Sequence, residues 1–178
     1  MGLAAAAAFL PGTYAWSNAA ALLLILSNFL DHTDGELARM SGKGSRFGHL
    51  YDLAADAVVT ILLFIAMGIG VGTLNRARPI PPPVLGLMAG CAIALIFLLR
   101  MRIEEMAGKD ASRQASLGGF ETEDVLYLLP LVTLSNGVVP FLTAAGICAP
   151  LFAVWVAFDY RRILRQRSAP TASTSIDS

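Results

Sequence analysis

Four aspartates lie at the adjoining ends of two apolar stretches of the sequence, and their spacing places them on helix faces. The first two aspartates and two small residues are spaced i, i+3, i+4 and i+7. The other two aspartates and a glycine are spaced i, i+4 and i+8, so each set lies on one face of a helix. The residues are Asp31, Asp34, Gly35 and Ala38 on the first helix and Gly48, Asp52 and Asp56 on the second. If the two helices form a hairpin, these faces can meet.

Carboxylates gathered in this way predict a metal-binding site. Ionisable side chains at the edge of a membrane segment are costly, and their presence there indicates function. Four negative charges in a partly dry site repel one another unless a cation neutralises them. An all-oxygen ligand set suits Mg²⁺, Mn²⁺ or Ca²⁺ better than zinc. We therefore expect Asp31, Asp34, Asp52 and Asp56 to bind a hard divalent cation.

The neighbouring residues indicate what such a metal would act on. Gly35 and Ala38 place no bulk beside Asp34, so a flat ligand group can approach the helix backbone there. Arg39 follows with a planar guanidinium suited to phosphate. A metal, a phosphate-binding cation and a spare carboxylate are what phosphoryl transfer requires, because its transition state is stabilised mainly by positioning and charge.

The composition is that of a membrane protein. The 178-residue chain is 56% hydrophobic and 15% charged, with a mean hydropathy of +0.63, whereas a soluble domain is roughly 25% charged. Thirteen basic residues balance thirteen acidic ones, so we expect no nucleic-acid partner. The two cysteines, Cys91 and Cys148, lie in apolar runs, which argues against a disulfide framework or a zinc site.

Uncharged runs long enough to cross about 30 Å of hydrocarbon identify the membrane helices. Three runs make one span each, and a fourth makes two, with a turn at Ser135-Asn136-Gly137 followed by Pro140. The runs are residues 13–30, 57–75, 79–99 and 125–158, and the first half of the last begins near Phe120. Because no segment alternates like a barrel strand, the expected fold class is an all-α integral membrane protein with five clear transmembrane helices.

The two ends of the chain differ from these spans. Residues 1–10 are apolar but only half a span long, and we interpret them as a truncated first helix of a six-helix fold. Residues 1–167 then form the transmembrane domain, and residues 168–178, rich in Ser, Thr, Ala and Pro, form a disordered cytoplasmic tail. Within the second clear span, the glycine run at positions 68, 70 and 72 predicts close helix packing.

The distribution of Lys and Arg predicts the orientation. If the loop after the first clear span is cytoplasmic, eleven basic residues lie inside and only Arg76 and Arg78 lie outside. The aspartates then face the cytoplasm. Arginine outnumbers lysine and alanine is abundant, which is typical of a GC-rich bacterial genome, so we expect a multi-pass protein of the bacterial cytoplasmic (inner) membrane.

The motif as a whole resembles the signature of a known family. Asp31-x2-Asp34-Gly35-x2-Ala38-Arg39-x8-Gly48-x3-Asp52-x3-Asp56 is similar to the complete signature of the CDP-alcohol phosphotransferases, membrane enzymes that make phospholipids. The family's pattern is six helices, with the motif straddling the second and third. Here these would be the first and second clear spans, and residues 1–10 would stand in the place of the family's first helix.

The resemblance implies a reaction and a set of roles. An acceptor hydroxyl would attack the phosphorus of a CDP-alcohol, usually CDP-diacylglycerol in bacteria, and release CMP in phospholipid biosynthesis. Asp31, Asp34 and Asp52 would hold one or two Mg²⁺ or Mn²⁺ ions, and Asp56 would be the general base and a further metal ligand. The CDP-binding residues would be Gly35, Ala38, Arg39 and Gly48. A homodimer is implied as well.

The acceptor is a separate question from the motif. Arg100, Arg102 and Arg113 obey the inside-positive rule, and one of them could also receive a phosphate or carboxylate of the acceptor. The residues after Asp56, Ala57-Val58-Val59, lack both the basic residue common in the glycerol-phosphate branch and the continuation expected of serine enzymes. The sequence therefore leaves the acceptor and the product lipid open.

Three other functions compete with this interpretation. A transporter or proton pathway would place acids in the middle of spans, whereas these cluster at one boundary. An intramembrane prenyltransferase would need a longer chain with a second Asp-rich motif. A catalytically inactive relative, acting as a membrane subunit, would fit the short N-terminal segment, and it would release no CMP from a CDP-alcohol.

Overall fold

The structure, a computed structural model of the chain, describes residues 1–40, 46–74, 79–107 and 127–168. Within these ranges the side chains are described except at positions 31, 32, 34–40, 46–50, 52, 74, 104, 105, 107 and 166–168. The described residues form helices and no strand. The helices are α1 (Gly2–Phe9), α2 (Tyr14–Met40), α3 (Arg46–Leu74), α4 (Pro82–Ala107), α5 (Leu129–Leu134) and α6 (Val138–Ser168).

Proline, glycine and asparagine residues set several helix ends. α1 stops before a reversal in which Gly12 has a φ of +68°, a conformation that glycine adopts without strain. α5 and α6 are separated at Asn136, with a φ of +56°, and Gly137, which confirms the turn predicted there. α4 begins at Pro82, because the missing N–H of proline leaves no bond unmade in the first turn of a helix.

Three helical segments are long and apolar enough to cross a membrane, so the chain is a multi-pass membrane protein. They are Leu53–Thr73, Pro82–Ile103 and Val138–Arg165, and the apolar part of α2, Tyr14–Leu30, is shorter. They confirm the second and third predicted spans and the last one. The span expected to begin near Phe120 lies mostly outside the described residues, and α5 is the helix found at its end. The predicted total of five spans is therefore not established.

α1 is a short apolar helix that packs against both α2 and α3. A Cβ atom on Gly2 would lie 2.6 Å from the Val59 side chain, and one on Gly70 would collide with the carbonyl oxygen of Phe9. α1 therefore runs parallel to α3, from the level of Val59 to the level of Gly70. Because the chain reverses after α1, α2 runs antiparallel to both. The interpretation of residues 1–10 as part of a longer helix stays a prediction.

Glycines also set the register between α3 and α4. A Cβ atom on Gly68 would collide with the carbonyl of Pro82, and one on Gly86 would collide with the carbonyl of Phe64. From Pro82 to Gly86 the position along α4 rises by four residues, while the facing position along α3 falls by four, from 68 to 64. The two helices therefore run antiparallel. The backbones approach too closely at these points for any larger residue. This confirms the close helix packing predicted from the glycine run.

α6 packs against α4 and runs parallel to it. A Cβ atom on Gly146 would lie 2.8 Å from Cδ2 of Leu85. Further along, Ile96 and Ile103 of α4 form a buried cluster with Val156 of α6. Leu85 and Gly146 differ by 61 residues, and Ile96 and Val156 differ by 60, as expected of parallel neighbours.

Candidate active site

The end of α2, the start of α3 and the ends of α4 and α6 lie together, and we call this region the charged end. The helix directions place them there, because α3 is antiparallel to α2 and α4 while α6 is parallel to α4. The motif residues occupy α2 and α3 at this end, and Arg100 and Arg102 occupy α4.

On α2, the motif positions continue the stripe that packs against α1. Ala20 and Leu24 are buried, at 0% and 3% exposure, in a cluster that includes residues of α1. Asp31 follows Leu24 by seven residues, which is two helical turns, and Ala38 follows Asp31 by the same interval. Since α2 is helical throughout, positions 31 and 38 lie on the α1-facing side of its backbone.

On α3, the motif positions continue the stripe that packs against α1. Val59 is the residue that Gly2 of α1 approaches, and Leu63 is 1% exposed in the same buried cluster. Asp52 precedes Val59 by seven residues, and Asp56 precedes Leu63 by seven. Positions 52 and 56 therefore lie on the α1-facing side of α3.

The two motif faces therefore lie on the α1-facing sides of α2 and α3, and on α3 they lie beyond the level at which α1 begins. Both are continuations of faces that pack on one helix, α1. The five residues 41–45 join the end of α2, Met40, to the start of α3, Arg46. Position 34 is six residues before Met40 and position 52 is six residues after Arg46, so in antiparallel helices the two positions are level.

The described side chains cover only part of this constellation. Asp56 is exposed on α3. The motif positions that lie on helices but whose side chains are outside the description are Asp31, Asp34, Gly35, Ala38, Arg39, Gly48 and Asp52. Among the side chains that are described, no group of three or more His, Cys, Asp or Glu could hold a metal. The metal and CDP sites therefore stand on helical register and stay predictions.

Arg100 lies at the depth of the motif. A Cβ atom on Gly90 would lie 2.8 Å from the Ile61 Cα, so ten residues further along α4 Arg100 is level with position 51 of α3. Its guanidinium carbon is 5.8 Å from the centre of the Phe152 ring of α6. This contact is a cation–π interaction, and it directs the guanidinium into the seam between α4 and α6.

Of the three arginines predicted for the acceptor, the two that the structure describes lie on different sides of α4. Arg102 is two residues after Arg100, about 200° around the helix, and it is exposed on the opposite side of α4. Arg113 lies outside the described residues. Of the two described arginines, Arg100 is therefore the one that faces the packed interior of the charged end.

Sequence reasoning did not single out Phe152, the ring beneath Arg100. An aromatic residue in an apolar span has the same local pattern whether it faces lipid or a cation. The contact joins two helices that are distant in the sequence, so only their parallel packing brings Phe152 to Arg100.

Comparison with known protein families gives a match over most of the chain. A family model described as CDP-alcohol phosphatidyltransferase matches residues 1–162. The match includes every motif residue and all but the last residues of α6, and it confirms the resemblance drawn from the aspartate motif. Searches against curated proteins and against solved structures returned no significant match.

Proposed function

The chain belongs to the CDP-alcohol phosphatidyltransferase family, whose members transfer a phosphatidyl group from a CDP-alcohol, and from this premise we propose its specific reaction. The donor is CDP-diacylglycerol, the acceptor is the hydroxyl group of a small molecule, and CMP is released in phospholipid biosynthesis. The proposal is supported by the family match over residues 1–162 and by helical register, which puts the motif positions of α2 and α3 on the sides that face α1, at the charged end. From this register we infer that the two motif faces border one groove.

The donor set of this groove fits the divalent metal on which the family generally depends. Carboxylate oxygens are preferred ligands of Mg²⁺ and Mn²⁺. Positions 34 and 52 are level, and positions 31 and 56 lie one turn further along their helices, toward α1. We assign the metal to Asp31, Asp34, Asp52 and Asp56. When bound, one or two ions would offset the charge of the diphosphate and of the leaving oxygen.

Asp56 is the general base of the proposed reaction. Its carboxylate accepts the proton of the acceptor hydroxyl while the hydroxyl oxygen forms a bond to the phosphorus that carries diacylglycerol. The bond between that phosphorus and the bridging oxygen breaks, and its electron pair leaves with CMP. Asp56 is exposed on α3 near the start of the apolar segment Leu53–Thr73, at the charged end, and we infer that an acceptor reaches it there from the aqueous phase.

The nucleotide is assigned to the small residues and the arginine of the motif. Gly35 and Ala38 lie on the motif side of α2, and residues without bulk let the cytidine approach the helix backbone. Arg39 binds the diphosphate, for which its planar fork is suited. Gly48, one turn before Asp52 on α3, completes the CDP site.

Arg100 is assigned to the acceptor, where it binds a phosphate or carboxylate group. Its depth matches the motif and its guanidinium lies in a seam rather than on an outer surface. Arg102 and Arg113 are the alternatives. The charged end faces the cytoplasm of a bacterial inner membrane, as the inside-positive rule indicates, and two chains form a homodimer.

Release of CMP tests this function. The full chain in liposomes containing CDP-diacylglycerol is expected to release CMP when Mg²⁺ or Mn²⁺ and a suitable acceptor are present. EDTA should reduce the release to background, and an excess of Mg²⁺ should restore it, because carboxylates alone cannot neutralise the diphosphate. Each candidate acceptor is supplied separately, and the product lipid is identified by mass spectrometry.

The same assay separates the competing functions. A folded chain that releases no CMP with any acceptor would be an inactive subunit. A chain that moves protons or ions across the liposome membrane without releasing CMP would be a transporter. Either result would overturn the proposal.

A further inference from the structure

Asp159 is a carboxylate near the end of α6 that lies outside the aspartate motif. It is partly buried, whereas Arg161, Arg162 and Arg165 further along the same helix are exposed. Burial of a carboxylate costs free energy unless it is compensated by a partner. Among the residues the structure describes, none forms an ion pair or hydrogen bond with Asp159.

Helix register places Asp159 at the depth of the motif. Leu85 faces Gly146, an offset of 61 residues between α4 and α6. The same offset sets Asp159 level with residues 98–100 of α4. Because Arg100 is level with position 51 of α3, Asp159 has the same depth as the motif turn that contains Asp52.

Asp159 also lies on the same side of α6 as the ring that supports Arg100. It follows Phe152 by seven residues, which is two helical turns, so the two residues share a face. That face borders the seam into which Arg100 is directed. Position 156, three residues before Asp159, is fully buried against α4. A basic and an acidic residue therefore border one seam, with their backbone positions at about the same depth and the Arg100 guanidinium reaching along the seam to Phe152, two turns before Asp159.

The presence of both an arginine and a carboxylate in this seam has a consequence for the charge of the acceptor, provided that the proposed function holds. A seam with arginine alone would favour an acceptor carrying only anionic groups, such as a phosphate ester. A nearby carboxylate repels such an anion and attracts a protonated amine. We propose that Asp159 is a specificity-determining residue that binds a protonated amine on the acceptor, with the acidic group of the same acceptor on Arg100. The preferred acceptor class is then a zwitterionic amino alcohol.

Competition between two acceptors tests this role. Full-length protein in liposomes with CDP-diacylglycerol and Mn²⁺ is given equal concentrations of L-serine, which has an amine and a carboxylate, and glycerol 3-phosphate, which has no amine. The wild type is expected to prefer serine. Asp159→Asn should lower kcat/KM for serine about tenfold, mainly through KM, and leave that for glycerol 3-phosphate unchanged or higher. Asp159→Glu should retain the preference, and the matched charge change Arg161→Gln, on an exposed residue, should not alter it.

Several outcomes would overturn the proposal. The wild type could prefer glycerol 3-phosphate, or Asp159→Asn could lower both activities by the same factor, as expected of a purely structural role. Release of CMP with glycerol 3-phosphate but not with serine would leave the family activity intact and contradict only the specificity assignment. No release with any acceptor would overturn both the specificity assignment and the proposed function.

Thermal stabilisation of the chain by serine in the absence of donor gives a readout that does not need turnover, and Asp159→Asn should abolish it.

Discussion

Replacing Asp56 by asparagine is expected to lower the rate of CMP release by a factor of about 10²–10⁴, the range that a positioned general base contributes. Asparagine has nearly the same shape as aspartate, but its amide cannot accept the proton of the acceptor hydroxyl. The side chain is exposed on α3, so the substitution leaves the fold intact. The measurement is kcat at saturating donor, acceptor and Mn²⁺, together with the unfolding temperature of the variant.

A polar residue on the other side of α3 supplies the control for Asp56. Tyr51 is 70% exposed and lies five residues earlier, about 140° around the helix. Tyr51→Phe removes one hydroxyl group from α3 in the same region and should keep near wild-type kcat. A kcat of Asp56→Asn within tenfold of the wild type, at saturating metal, would show that Asp56 is not the base.

Replacing Gly86 by alanine is expected to destabilise the protein by about 1–3 kcal/mol, the usual cost of overpacking a tight contact. A Cβ atom at this position would collide with the carbonyl oxygen of Phe64, a backbone atom that cannot move without displacing α3. For a chain of this length the unfolding temperature should fall by several degrees, at about 2–4 °C per kcal/mol. Because this contact fixes the depth of Arg100 relative to the motif, acceptor KM should rise as well.

Gly72 is the matched control for Gly86. It lies on α3 beside the same helix, but a Cβ atom there would be 3.7 Å from Cδ of Pro83, an ordinary van der Waals distance. Gly72→Ala should leave the unfolding temperature unchanged or raise it slightly, since alanine is the better helix former. Equal losses of stability in the two variants would mean that the close α3–α4 contact does not hold the helices in register.

The positions of several helices and of one turn are predictable because local stretches of apolar or turn-forming residues encode them. The predicted spans at 57–75 and 79–99 correspond to parts of α3 and α4, and the predicted turn at Asn136 is where α5 and α6 separate. The helices extend beyond the apolar runs at the charged end. α2 continues through the motif to Met40, because acidic and small residues do not interrupt a helix when no proline is present.

The packing of the helices is not predictable in the same way. The sequence predicts that the motif faces meet if α2 and α3 form a hairpin, but it does not show that α1 packs against both faces. That arrangement depends on the contact of Gly2 with Val59, which joins residues far apart in the sequence. The depth of Arg100 likewise depends on the glycine contacts between α3 and α4. The partial burial of Asp159 follows from α6 lying parallel to α4, which no local pattern encodes.

Binding of Mn²⁺ is the measurement that tests most directly whether α2 and α3 jointly hold a cation. The full chain in lipid nanodiscs is titrated with Mn²⁺ in the presence of CDP, and free Mn²⁺ is followed by electron paramagnetic resonance. One or two ions should bind per chain, and Asp34→Asn on α2 and Asp52→Asn on α3 should each weaken binding at least tenfold. Unchanged affinity in either variant would contradict the account, because the metal would then be held without one of the two helices.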